Sequence, residues 1–297
     1  MSAAPPPDRT GSPSPASPVR RQRPMPSTPP PPPAVQTLAL RYAKRGPLRF
    51  ASHRVIQRTF ERAVRRASLP VAFSAGFTPH PRLSYLGAAP TGAASEAEYM
   101  LIRLAEELPP DQVRDRTDRA MPRDLPVVDA CVWDSAAHGD IAKLLTASAW
   151  RIRLDHLSPS ALTASVARFL ALESYEAEQL RPGPPGGFER SPGRRGVKPA
   201  RRIEVRKNVL AMTVQGEPAA TPPGLAGPGP GGSATACAIL DVVLRHATPA
   251  VRPDDVIAAL VVNGLEIGLP PCATRLAQGE YSVEAGVIQE PFSRIRV

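Results

Sequence analysis

The sequence has few cysteines, few aromatic residues and no long apolar run, and each shortage argues against a class of protein. Its three cysteines, Cys131, Cys237 and Cys272, lie far apart, which argues against a disulfide framework and against a zinc or iron–sulfur site. No apolar run reaches the roughly 18 residues of a membrane span, and the N-terminus lacks the basic-then-apolar order of a signal peptide. We therefore expect a cytoplasmic protein.

Acidic residues are also fewer than basic ones, whereas proline is abundant. The 297 residues include 37 Lys and Arg against 27 Asp and Glu, a formal net charge of +10. This balance favours an anionic partner, such as nucleic acid or an acidic lipid, over a neutral metabolite. With 38 prolines and 5% aromatic residues, part of the chain is expected to lie outside any core, and burial elsewhere must come mainly from aliphatic side chains.

Segments rich in proline and glycine divide the chain. Residues 1–34 are predicted to be a disordered, partly polyproline II tail. Residues 181–199 and 216–232 are predicted to be disordered loops. The folded part should therefore lie between and after these segments.

Hydrophobic periodicity in residues 35–134 predicts the order β-α-β-β-α-β. The predicted strands lie near 35–42, 81–86, 98–104 and 125–133, and the predicted helices near 52–68 and 111–121. This order is typical of a ferredoxin-like domain, in which two helices cover one face of a four-stranded antiparallel sheet.

A less clear repeat follows a predicted linker at 134–146. The predicted strands lie near 149–156, 173–180, 202–214 and 236–244, and the predicted helices near 159–172 and 253–262. The last thirty or so residues carry little signal. The prediction is an α+β protein with tandem ferredoxin-like domains at 35–134 and 146–285.

Residues 41–82 form the most basic folded segment, with ten basic residues and one acid, Glu61. With a rotation of 100° per residue, the helix predicted near 52–68 would place apolar residues on one side and arginines on the other. The apolar arc holds Ile56, Phe60, Ala63, Val64 and Ala67, and the other holds Arg54, Arg58, Arg62, Arg65 and Arg66. Guanidinium groups match phosphate oxygens and stack on bases, which favours RNA as the partner. A solvated helix face is the alternative interpretation.

A second basic cluster at 181–207 is predicted to order on a phosphate backbone, or else to be a solubilising insertion. The full set of predicted RNA- or phosphate-binding residues is Arg45, Arg49, Ser52, Arg54, Arg58, Arg62, Arg65, Arg66, Arg82, Lys198, Arg202 and Arg206.

Two histidines flank the basic helix: His53 at its start and His80 in a Pro-rich run. Ser52 and His53 would lie beside free backbone N–H groups, where a phosphate is favoured. If His53 and His80 converge, metal-independent acid–base cleavage of RNA becomes possible, with Tyr85 or Arg82 assisting. The alternative is that both histidines cap turns. No metal site is predicted.

Three runs resemble a known family: RGPLRFASH at 45–53, RTFERAVRR at 58–66 and SAGFTPHP at 74–81. Further matching residues are Leu69-Pro70, Gly92, Ser95 and Glu98-Tyr99, with weaker matches at 202–206 and 252–260. Together they resemble the radical SAM-linked protein family, a domain family of unknown function. The chain departs from that pattern at Val55 and Leu101, where the family usually carries acids.

The resemblance implies a partnership with a radical SAM protein. Because this chain lacks the closely spaced trio of cysteines that holds a four-iron cluster, the cluster and S-adenosylmethionine are expected on that partner, with no cofactor in this chain. The main hypothesis is an RNA-binding companion that presents tRNA or ribosomal RNA to a separate radical SAM enzyme. The alternatives are an endoribonuclease using His53 and His80, and an adaptor subunit that contacts only protein.

Overall fold

A computed structural model of the chain describes residues 32–75, 78–179, 201–215 and 236–295. The strands are β1 (Gln36–Lys44), β2 (Leu83–Leu86), β3 (Ala94–Leu104), β4 (Val127–Val132), β5 (Ala147–Asp155), β6 (Glu176–Gln179), β7 (Arg201–Glu204), β8 (Val209–Gln215), β9 (Cys237–Arg245), β10 (Cys272–Ser282) and β11 (Val287–Gln289). The helices are α1 (His53–Arg66), α2 (Pro110–Ala120), α3 (Ser135–His138), α4 (Ile141–Leu144), α5 (Pro159–Leu170) and α6 (Pro253–Val262). The predicted tail and the two predicted loops fall almost entirely outside the described residues and stay predictions.

A nine-stranded mixed sheet runs through the described chain. Seven strands follow the order β4-β1-β3-β10-β5-β9-β8, while β2 also pairs with β3 and β11 with β10. All these pairs are antiparallel except β3 with β10, where Ala94 and Ser95 pair in parallel with Thr274 and Arg275. This β3–β10 pairing, the seam, joins the N-terminal and C-terminal parts of the chain into one sheet.

The strand order is the same on the two sides of the seam. In the N-terminal part it is β4-β1-β3-β2, because Ile102 of β3 pairs with Leu38 of β1 on one edge and with Leu83 of β2 on the other. In the C-terminal part it is β10-β5-β9-β8. A helix follows the first strand of each part, α1 after β1 and α5 after β5, and a second helix precedes its last strand. The predicted α+β class is confirmed.

Three details differ from the sequence prediction. The strand β10, which lies at the centre of the sheet, was not predicted. The predicted strand at 173–180 is the short β6, which pairs with β7 in a separate two-stranded sheet, and β7 and β8 are two strands where one was predicted at 202–214. The predicted linker at 134–146 contains α3 and α4.

The described core has three buried clusters. One lies between the sheet and the pair α1 and α2, and includes Phe60 and Val113. Another lies beneath α5 and α6, and includes Phe169 and Leu260. A smaller cluster around Trp133 covers part of the other face.

Both helix pairs cover the same face of the sheet. Residues paired across strands point to the same side of a sheet. Lys44 pairs with Ser95, Ser95 with Arg275 and Arg275 with Trp150, so this row crosses the seam from one core to the other. Polar side chains therefore occupy the helix-covered face where the two helix pairs meet.

Local sequence explains why α1 forms where it does. The hydroxyl of Ser52 accepts a hydrogen bond from the Val55 N–H (3.4 Å) and caps the helix, as expected for serine at this position. Ile56, Phe60 and Val64 repeat every four residues and are buried. The predicted apolar face is thus confirmed.

None of the described helices combines the length and apolarity needed to cross a bilayer.

Candidate functional site

The outer side of α1 is an exposed arginine surface. We call Arg54, Arg58, Arg62, Arg65 and Arg66 the arginine face; all five are exposed. Within the described residues none of the five makes an ion pair, although nine ion pairs form elsewhere. The spacing predicted from the sequence therefore places five unneutralised guanidinium groups on one helix.

Several predicted binding residues are already engaged within the protein. Arg45 forms a two-pronged pair with the carboxylate of Glu96. Arg49 donates to the sulfur of Cys272 (2.7 Å) and lies 4.7 Å from the centre of the Phe50 ring. These side chains tie the segment before α1 to its surroundings and are less free to bind phosphate.

The second basic cluster is engaged in a similar way where it is described. Arg206 donates to the carbonyl oxygen of Leu170 (3.1 Å) and lies over the Phe169 ring. Arg202 is exposed and lies 4.0 Å from the carboxylate of Glu176. Lys198 lies outside the described residues, and Arg82 is exposed.

The structure does not bring His53 and His80 into contact. The ring of His53 packs edge-on against Tyr85 (5.3 Å between ring centres) and its Nε2 bonds the Gln57 amide (3.0 Å). The backbone of His80 bonds Ser74 instead, in the segment that leads to β2. The hydroxyl of Tyr85 is buried without a hydrogen-bond partner in the described chain. The two-histidine cleavage site stays a prediction.

A buried charged network lies at the seam, beneath the loop 87–93. Glu98 and Arg275 form an ion pair, and their side chains are only 1% and 3% exposed. The remaining guanidinium nitrogens of Arg275 donate to Ser95 and Gln278. Since Glu98 lies in β3 and Arg275 in β10, this network bridges the two parts of the sheet.

The same network fixes the loop above it. The ammonium group of Lys44 donates to the carbonyl oxygens of Ala89 (3.2 Å) and Pro90 (3.1 Å), and the Ala89 N–H donates to Glu98 (3.1 Å). Burial lowers the pKa of Lys44, with Glu98 opposing that shift and Arg275 adding to it. Three hydrogen bonds that involve the buried side chains of Lys44 and Glu98 therefore hold the loop in place.

Three neighbouring cavities surround this loop, and Pro90 lines all of them. The Trp150 cavity (about 360 Å³) lies on the β5–β9 side, and the His53 cavity (about 430 Å³) on the α1 side. The third, the Arg49 cavity, measures about 230 Å³. Arg252, the residue before α6, lines the first two. Together the cavities form a cleft between the starts of α1 and α6.

A serine–histidine pair lines the Trp150 cavity. His246 Nδ1 lies 2.6 Å from the carbonyl oxygen of Leu145, which only accepts, so Nδ1 carries the proton. Neutral His246 then accepts from the hydroxyl of Ser148 at Nε2. Burial lowers the pKa of His246; the Leu145 carbonyl opposes the shift and Arg275 adds to it. This shift favours the neutral imidazole, the form in which Nε2 can accept from Ser148.

Sequence reasoning missed several members of this cleft. Glu98 was singled out only through the family resemblance, and Lys44 only as part of the basic segment. Trp150, His246 and Arg275 were not singled out. The available signal was Glu98, a charged residue inside the strand predicted at 98–104. In the described part of the chain, no group of three His, Cys, Asp or Glu residues is arranged to hold a metal ion.

Fold and site together define an α+β protein with a basic helix beside a seam cleft. The chain belongs to the family described as "Uncharacterized protein conserved in bacteria (DUF2344)", whose profile matches residues 37–253. No curated protein matches the sequence. One matching solved structure is an unknown protein from Galdieria sulphuraria, at 10% identity, covering 81% of this chain and 98% of that one. Its TM-score of 0.22 is too low to support an argument.

Proposed function

We propose that this chain is a cytoplasmic RNA-binding companion that presents tRNA or ribosomal RNA to a separate radical SAM enzyme. The observation that carries the RNA part is the arginine face, five exposed guanidinium groups without an ion pair in the described chain. Charge of one sign at this density attracts the phosphate backbone, and planar guanidinium groups bind its oxygens in pairs. Arg82 and Arg202, which are also exposed, are secondary candidates.

The radical SAM part rests on the sequence resemblance at 45–53, 58–66 and 74–81. A four-iron cluster needs a closely spaced trio of cysteines, and the three cysteines of this chain are far apart in sequence. The cluster and S-adenosylmethionine would therefore be carried by the partner.

We also propose that each part of the sheet is a ferredoxin-like unit. Two observations support this: the strand orders β4-β1-β3-β2 and β10-β5-β9-β8, and the position of both helix pairs on one face of the sheet. Such units have strand order 4-1-3-2 with helices on one face. A tandem arrangement would place the seam cleft between two similar units.

RNA binding is tested with the double variant Arg58→Gln, Arg62→Gln, measured by fluorescence anisotropy of labelled tRNA across a range of salt concentrations. Wild-type affinity should fall steeply with salt, and the variant should bind more weakly with a salt slope smaller by about one per arginine. The matched control is Arg151→Gln, Arg153→Gln, which removes the same charge from β5 on the other face of the sheet. Absent binding at low salt, or an equal loss in the control, would contradict the proposal.

The partnership is tested separately by pull-down of the tagged chain from its native cells. The enriched protein should contain a closely spaced cysteine trio and show the absorbance of an iron–sulfur cluster. Enrichment of RNA without such a protein would leave RNA binding standing and remove the radical SAM partnership.

A further inference from the structure

The Trp150 cavity has the size and lining of a small-molecule site. Its volume of about 360 Å³ lies within the roughly 300–1,000 Å³ range of such sites. Trp150, Leu244 and Val251 give it apolar walls, and Pro90 closes it from the loop side. We infer that this cavity receives one unpaired nucleobase of the bound RNA, with the adjoining phosphate on Arg252; the inference rests on the proposed RNA-binding function.

The polar edge of the cavity suits a nucleobase. Because Ser148 donates its hydroxyl proton to His246, the lone pairs of its oxygen are left to accept a hydrogen bond. The exocyclic amino groups and ring N–H groups of bases can donate a hydrogen bond to this oxygen. An apolar slot with a few convergent polar atoms is how proteins hold an unstacked base.

Charge at the cavity mouth suits a phosphate. Arg252 is exposed, and it lines both the Trp150 cavity and the His53 cavity. Arg275 also lines the cavity, but its nitrogens are already committed to Ser95, Glu98 and Gln278. No acid lines the Trp150 cavity, whereas Glu98 and Asp254 line the His53 cavity. Arg252 is therefore the available phosphate ligand.

The cavity also connects, through the His53 cavity, to the start of α1, the helix that carries the arginine face. The His53 cavity shares Ala88, Pro90 and Arg252 with the Trp150 cavity, and His53 is the first residue of α1. An RNA strand that places one base in the Trp150 cavity can pass His53 and continue along α1. Because a paired base cannot leave its stack without breaking its pair, the expected substrate is RNA with an unpaired or bulged nucleotide.

The test compares three labelled RNA hairpins: one with a single bulged nucleotide, the same hairpin abasic at that position, and a fully paired one. The bulged hairpin should bind about tenfold more tightly than the abasic one, as expected for one stacked base. Ala250→Phe, which fills the cavity from an exposed lining position, should remove this advantage. Ala258→Phe, an exposed position on α6 that does not line the cavity, is the matched control and should keep it.

Arg252→Gln is the second variant, and it should weaken binding of the bulged hairpin more than that of the paired one. If Ala250→Phe binds the paired hairpin as tightly as wild type does, the variant is folded. If it is not folded, the result for Arg252→Gln tests the inference in its place. Equal wild-type affinity for the bulged and abasic hairpins would overturn the inference and leave RNA binding standing. Absent binding of all three would instead overturn the proposed function. A free nucleoside monophosphate that binds as tightly as the bulged hairpin would show that the ligand is a free nucleotide.

Discussion

The helices α1 and α5 occupy matching places in the two parts of the sheet, yet their outer faces differ. Each follows the first strand of its part and has a serine cap, Ser52 or Ser158, whose hydroxyl accepts from a backbone N–H three residues later. Each buries a phenylalanine completely, Phe60 or Phe169. The two helices are therefore capped and anchored in the core in the same way.

The exposed residues of the two helices have little in common. The outer face of α5 carries serine, threonine and alanine with one arginine, Arg168, which donates to the carbonyl oxygens of Asn263 (2.7 Å) and Gly264 (3.3 Å). The outer face of α1 is the arginine face, with no ion pair among the described residues. Since α5 forms without such a face, the arginines of α1 are not needed to build the helix, which supports a role in binding.

The buried faces should respond alike to mutation. Phe60→Ala and Phe169→Ala should each lower the free energy of unfolding by about 3–5 kcal/mol, because each leaves a cavity in a closed core. Urea denaturation measures this loss, and Val55→Ala on the exposed side of α1 is the control, with a change under about 0.5 kcal/mol. A cost for one phenylalanine several times smaller than for the other would show that the two helices are not equivalent in the fold.

Residue patterns predicted these helices well because the buried and exposed faces of a helix both follow from the spacing of residues within it. The apolar stripe and the arginine face of α1 follow from 100° spacing alone, and the predicted bounds of α6 match those observed. What spacing could not predict is which basic residues are engaged. The partners of Arg49 and Arg206, namely Cys272 and Leu170, depend on tertiary contacts between distant parts of the chain.

The strand β10 shows where a local pattern fails. Its buried positions include Arg275 and Gln278, and a register shift between Arg275 and Ala277 interrupts the alternation of inward and outward residues. A central strand with buried polar residues therefore carried little signal in the sequence. The partner that makes Arg275 tolerable, Glu98, lies 177 residues away, so the seam cleft could not be inferred from either segment alone.

The single arginine of α5 should contribute to stability. Arg168→Gln should lower the free energy of unfolding by about 1–2 kcal/mol, since its two hydrogen bonds to the end of α6 are lost and exposure moderates the cost. Thermal or urea unfolding measures this change, and RNA affinity should remain unaltered. A loss of RNA affinity in this variant would mean that α5 also contacts RNA, and the contrast with α1 would disappear.

The arginines of α1 should behave in the opposite way, with a smaller change in stability. Removing charge at Arg58 and Arg62 relieves three like-charged i,i+4 pairs and removes one attractive i,i+3 pair, Arg58–Glu61, each worth roughly 0.2–0.5 kcal/mol. The variant Arg58→Gln, Arg62→Gln should therefore raise the free energy of unfolding by about 0.4–1 kcal/mol. Glutamine keeps a similar helix propensity, and the gain should shrink in high salt because screening already weakens the repulsion. A variant that gains stability while it loses RNA affinity would show that these arginines serve binding at a cost to the fold. A loss of both would instead assign them a structural role like that of Arg168.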